Sequence, residues 1–89
     1  MTAHVLISGK VQGIGFRYFV KSKAKRFGLL GWVTNTQDGK VEAKFVGEKE
    51  KIEEIIKLCR KGPFLAQVDF VDVKWRRKDE EFEIFEIIS

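Results

Sequence analysis

The sequence predicts an α+β sandwich in which two helices cover one face of an antiparallel sheet of four or five strands. Segments of alternating polarity indicate the strands, and two segments of helical periodicity lie between them in the order β-α-β-β-α-β. The chain has 89 residues, of which 44% are hydrophobic and 34% charged, so we expect one globular domain over residues 1–89.

The first strand is predicted at residues 4–10, where Val5 and Ile7 lie on one face. A glycine-containing loop follows, and from Phe16 onward the apolar residues have the spacing of a helix. Gly28 lies where a helix C-cap is expected. The apolar stripe of this first helix consists of Phe16, Phe19, Val20, Ala24 and Phe27.

Two strands and a tight turn follow the first helix. Residues 30–36 form the second predicted strand, and the turn over 37–39 contains the Asp-Gly pair that favours a hairpin. Residues 40–46 alternate, with Val41 and Phe45 on the predicted inner face.

The second helix is predicted at about residues 48–61, and Gly62-Pro63 ends it. A fourth strand contains alternating Val71, Val73 and Trp75.

Residues 76–81 read as a charged loop, and a last strand is predicted at 82–88. Its apolar phase slips between Ile84 and Phe85, which indicates a bulge. The whole order is that of the ferredoxin-like split βαβ sandwich with a short extra strand, and this fold carries many unrelated functions.

The positive charge is concentrated in the first half of the chain. The net charge is +4, yet residues 1–44 alone carry +6, and no acidic residue occurs between Lys10 and Arg26. Such a stretch favours an anionic partner, either nucleic acid or a small phosphorylated compound. A lysine-rich, solvated helix face is the plainer explanation for Lys21, Lys25 and Arg26.

The rare residue types exclude several kinds of site. A single cysteine cannot form an intramolecular disulfide, and a single histidine, His4, cannot supply a multi-histidine metal centre. We therefore expect no metal site built from cysteine and histidine. No apolar run approaches the ~18 residues of a membrane span, and no signal peptide is recognisable. The expected compartment is the cytoplasm.

The loop over residues 12–17, Gln-Gly-Ile-Gly-Phe-Arg, leads from a strand into a helix N-terminus. Helix starts leave amide N–H groups without internal partners, and glycine at 13 and 15 would let an anion approach the backbone. Arg17 could fork onto the same anion. Two glycines also suit any tight turn, and neither the P-loop nor the dinucleotide fingerprint is present.

Asn35 is the second candidate site residue because it ends the second predicted strand, near this loop in a split βαβ fold. A neutral amide can orient a water molecule without repelling an anion. Alternatively, the Asn35 side chain could serve the adjacent turn as a backbone mimic.

Two sequence blocks carry a resemblance to a known family. The chain reads GKVQGIGFR over residues 9–17 and GWVTNTQDGKV over residues 31–41, followed by Gly47. With these separations, and over nearly the whole chain, it resembles the acylphosphatases. The final segment, FEIFEIIS, is similar to the family's last strand but lacks its usual basic-aromatic ending.

The resemblance implies hydrolysis of the carboxyl-phosphate bond of small acyl phosphates, without a metal or a phosphoenzyme. It assigns Arg17 and Asn35 as catalytic, with Asn35 positioning the attacking water. We further expect a monomeric, free-standing enzyme for which inorganic phosphate is product and inhibitor, with no nucleic acid or membrane partner. The phosphate would be held by the backbone of Gln12, Gly13, Ile14, Gly15, Phe16 and Arg17.

Two alternatives stay open at this point. The same element order builds RNA-recognition domains, and the segment GIGFRYFV superficially resembles their RNP1 motif. That motif belongs on the third strand, whereas here it runs into the first helix. A regulatory domain that binds an anion without turnover would need the same loop and Arg17.

Overall fold

A computed structural model describes all of residues 1–89, with five strands in one sheet and two helices against it. The strands follow one another across the sheet in the order β4-β1-β3-β2-β5. This arrangement confirms the predicted α+β sandwich. The elements are β1 (Thr2–Lys10), α1 (Phe16–Arg26), β2 (Leu30–Asn35), β3 (Val41–Val46), α2 (Lys49–Lys61), β4 (Gln67–Arg76) and β5 (Phe85–Ile87).

The sheet is mixed, so the prediction of a purely antiparallel sheet is wrong. Strand β5 pairs in parallel with β2, with Phe85 beside Gly31 and Ile87 beside Val33, whereas the other three pairings are antiparallel. Strand β4 runs opposite to β2. Because the chain reverses its direction after β4 and joins the other edge of the sheet, β5 must run parallel to β2.

The last strand is shorter than predicted, whereas β4 contains the predicted alternating residues. Strand β4 covers Gln67–Arg76, and β5 covers only Phe85–Ile87 instead of residues 82–88. The apolar phase slips at Phe85 because the strand begins there, so no bulge is needed at that position. The register shift lies instead between Ser8 and Gly9 of β1, where it faces β4.

The core lies between the sheet and the helices, as the alternation predicted. The predicted helix stripe is only partly confirmed, since Phe19 and Phe27 are half-buried at its margin. Neither helix combines the length and apolar character that a membrane span needs. The largest fully buried side chains of the helices and central strands are Phe16, Phe45, Ile7, Ile52, Ile55 and Val5.

The directions of the strands bring several chain segments to one end of the sheet, where strands begin and finish. We call this the loop end. Strands β1 and β2 finish there, and β3 and β4 begin there, since Lys10 pairs with Gln67 and Asn35 pairs with Val41. The last residue also reaches this end, because the Asn35 amide donates to the carbonyl oxygen of Ser89 at 3.1 Å.

Candidate active site

The loop between β1 and α1 lies at the loop end and is fixed at both of its ends by buried side chains. Val11 and Phe16 are each only 1% exposed. Between them, Gly13 and Gly15 have φ angles of 77° and 80°, a conformation that L side chains rarely adopt. Apart from the glycine and its two chain neighbours, no protein atom lies within 4 Å of where a Cβ atom would be at either position, so the space beside the loop is open.

Seven consecutive amide groups, those of residues 12–18, donate no hydrogen bond to the protein. The first helical bond of α1 runs from the Phe19 amide to the carbonyl oxygen of Gly15, at 3.0 Å. No acidic side chain lies in the first turn, and Gly15 offers no side-chain cap. These free donors, at the positive end of the helix dipole, suit a small anion.

Arg17 lies in the first turn of α1, next to these amides. It is half-buried, and its guanidinium takes part in no ion pair and no hydrogen bond. An arginine is always charged and presents a planar fork that matches two oxygens of one phosphate. The side chain is therefore available to a ligand held by the loop.

Asn35 ends β2 and faces the helix side of the sheet, since its register partner is the buried Val41. Its side-chain amide makes no hydrogen bond with the protein, so it does not serve the adjacent turn. Thr36 performs that role. Its hydroxyl accepts from the Lys40 amide at 2.9 Å and donates to the Asp38 carboxylate. The bond from Thr36 lowers the pKa of Asp38.

Gln12 joins the loop to the β2–β3 hairpin through its side chain. Its Nε2 atom donates to the carbonyl oxygens of Thr36 and Lys40, each at 2.8 Å. The loop that precedes Arg17 is thus tied to the residue that follows Asn35. The sequence predicted a role only for the backbone of Gln12. This side-chain link was not predictable, because a spacing of 24 residues gives no local pattern.

The loop is an exposed cradle and not a deep cavity. The molecule's pockets lie elsewhere, and one of about 280 Å³ is on the sheet face away from the helices. A row of backbone amides can surround a phosphate-sized anion without such a cavity. The segment that resembles RNP1 runs through this loop and α1, and not along β3, which removes the basis for RNA recognition by that motif.

Comparison with known proteins agrees with this geometry. The sequence model of the acylphosphatase family matches residues 3–87. The chain belongs to the acylphosphatase family. It is 44% identical over 86 residues to an acylphosphatase of Roseiflexus, covering 97% of this chain and 92% of the relative. An acylphosphatase of Thermococcus kodakarensis is 43% identical over 87 residues, with 98% and 94% covered.

A solved structure has the same architecture over its full length. The crystal structure of acylphosphatase from Bacillus subtilis superposes with a TM-score of 0.96 at 32% identity, covering 99% of this chain and 98% of that one. The family match, the relatives and this shared fold together identify the chain as a hydrolase of acyl phosphates. They confirm the activity that the two sequence blocks predicted.

Proposed function

We propose that the substrate's phosphate group binds in the loop, held by the backbone amides of residues 12–17 and by the guanidinium of Arg17. The observation that carries this proposal is the run of amides that lack any partner in the protein. Left unsatisfied, such donors need water or a ligand, and a phosphate oxygen is the acceptor that best fits several converging N–H groups.

Asn35 is proposed to hold the attacking water. Its side-chain amide has no partner in the protein, so it can accept a hydrogen bond from the water and donate one to it. The Gln12 bridge holds the hairpin that carries Asn35 against the loop that carries Arg17. Fixing both reactants in this way lowers the entropic part of the barrier.

In the proposed step, the water oxygen bonds to phosphorus while the bond from phosphorus to the acyl oxygen breaks. The acyl group leaves as a carboxylate, and the product is inorganic phosphate. The loop from 11 to 17 contains no histidine, cysteine or carboxylate, so we assign the water's proton to a phosphate oxygen. Charge that spreads over the equatorial oxygens would meet the amides and Arg17.

A single chain supplies every residue of the proposed site, so we propose the monomer as the catalytically complete unit. The substrate is proposed to be a small acyl phosphate, with inorganic phosphate as product and competitive inhibitor, and without a metal or cofactor. Neither nucleic acid nor membrane is proposed as a partner. We propose a cytoplasmic location, in keeping with a free, buried thiol at Cys59.

Titration with inorganic phosphate, followed by amide NMR, tests the binding part of this proposal. We expect the largest shifts at residues 12–18, and we expect Arg17→Ala to weaken the affinity by at least about tenfold. Lys21→Ala, on the same helix, is the matched control and should change the affinity little. Shifts centred on another surface, with the loop amides unmoved, would contradict the proposed site.

A further inference from the structure

Strand β4 forms one edge of the sheet and leaves its outer side unpaired along ten residues. Edge strands present free N–H and C=O groups that can pair with another strand. This edge also exposes two large aromatic side chains, Phe70 at 62% and Trp75 at 38%. A long edge with exposed aromatic groups is an interaction surface, and its side-chain sequence indicates the partner.

We propose that β4 pairs with β4 of a second copy of this chain, antiparallel and with Val73 on the twofold axis. With the twofold axis normal to the sheet, the sheets of the two copies form one continuous sheet, and the helices of both copies lie on the same side of it. Side chains that face each other across the axis then belong to the same face of the sheet. The proposal can therefore be judged by which side chains each register places opposite one another.

Centring on Val73 gives complementary pairs on both faces. On the open face, which is the sheet face away from the helices, Asp72 lies opposite Lys74 of the second copy. On the same face, Phe70 lies opposite Arg76 of the second copy. On the helix face, Val71 lies opposite Trp75 of the second copy. Symmetry repeats each pair, so four cross-strand pairs of opposite charge or cation–π type form together. Just beyond this seven-residue ladder, Asp69 of β4 would lie near Arg77 of the second copy, which follows the strand.

The neighbouring registers lack this complementarity. Centring on Asp72 or on Lys74 places two like charges directly opposite each other, which destabilises a strand pair. Centring on Val71 brings Phe70 opposite Asp72 and pairs no opposite charges. Since only the Val73 register satisfies all the charges from 70 to 76, the strand's sequence is self-complementary in one alignment.

The helix side of β4 has room for the Trp75 side chain of the second copy. A groove of about 190 Å³ lies beside Val71, with Arg60 of α2 and Val68 among its lining residues. In the Val73 register, Trp75 of the second copy lies next to this groove. Its burial there would remove the exposure of Trp75, and Arg60 could lie against the ring.

The proposed contact is a ladder of seven residues per chain, smaller than most stable interfaces, so we expect reversible association. Sedimentation of the whole protein from about 1 μM to about 1 mM should show a monomer that becomes a dimer. Asp72→Lys and Lys74→Asp each turn two attractive pairs into repulsive ones and should weaken association at least about tenfold. The double variant restores opposite charges and should recover most of the affinity.

Glu86→Lys, an exposed charge reversal on the other edge strand, is the matched control and should leave association unchanged. Circular dichroism verifies that each variant is folded. A protein that stays monomeric at the highest concentration, or a double variant that associates no better than the single ones, would overturn the proposal. Because none of these residues lies at the loop, acyl phosphate turnover should persist throughout, which separates this test from that of the active site.

Discussion

The Nε2 atom of Gln12 lies 2.8 Å from the carbonyl oxygen of Thr36, the residue that follows Asn35. A second bond of the same length, to the carbonyl oxygen of Lys40, completes a bridge across the end of the hairpin. One side chain therefore sets the position of the loop relative to the strand end that carries Asn35. If the site works as proposed, this bridge determines whether water and phosphate meet in the right geometry.

Gln12→Glu should lower kcat by roughly tenfold or more, because a carboxylate cannot donate to the two carbonyl oxygens and repels them. We also expect a loss of about 1–3 kcal/mol in the free energy of unfolding. Steady-state kinetics and chemical denaturation measure the two effects. Gln67→Glu, at an exposed glutamine of β4, is the control and should change neither quantity appreciably. Full activity in Gln12→Glu would show that the bridge does not position the reactants.

Asn35→Ala should lower kcat strongly while the inhibition constant of inorganic phosphate changes little. The reason is that the proposed water acts in the chemical step and contributes little to holding phosphate. Competitive inhibition, measured on the wild type and the variant, separates the two parameters. Gln37→Ala, in the adjacent turn, serves as the control. A large loss of phosphate affinity in Asn35→Ala would instead make Asn35 a direct ligand of the phosphate.

Gly13→Ala should raise the inhibition constant of phosphate, since a methyl group would stand beside the loop amides and the φ angle of 77° would be strained. Gly28→Ala is a matched control, with a φ angle of 70° and equally open surroundings, but away from the loop. Both variants should lose about 1–2 kcal/mol of stability. Equal phosphate affinity in the two variants would argue against close approach of the anion at Gly13.

Burial raises the pKa of the Cys59 thiol from 9.0 to about 12. The thiol ionises more readily in the unfolded chain, so its contribution to stability is complete below pH 9.0 and declines as the pH rises towards 12. Between these values the wild type should lose up to roughly 1.4 kcal/mol per pH unit more than Cys59→Ala. Denaturation at several alkaline pH values measures the difference, and parallel pH curves for the two proteins would contradict it.

Local patterns predicted most of the fold. Alternation placed β1, β2 and β3 within two residues at either end, and the stripe from Phe16 to Ala24 predicted the buried face of α1. The direction of β5 was not predictable locally, because three residues carry no mark of a parallel or an antiparallel neighbour. It follows from where the chain crosses the sheet after β4, which is a property of the whole topology.

The candidate site likewise has residues that a local sequence pattern predicts and residues whose contacts depend on the whole fold. Its glycines and Arg17 are visible in one short segment, because their roles depend on a single turn. The sequence left the role of Asn35 undecided, since asparagine also suits turns. In the structure, the Thr36 hydroxyl makes the hydrogen bond within the turn, and the Asn35 side-chain amide has no partner in the protein. The Gln12 bridge joins distant segments, so only the folded chain reveals it.

Hydrolysis of benzoyl phosphate in excess EDTA, by the wild type and by Arg17→Ala and Arg17→Lys, tests the central claim most directly. We predict rapid turnover by the wild type and a fall in kcat/KM of at least about 10²-fold in Arg17→Ala. Arg17→Lys should recover only part of the loss, because an ammonium group cannot fork onto two phosphate oxygens. Turnover in Arg17→Ala close to that of the wild type, with the protein folded, would contradict the proposed site.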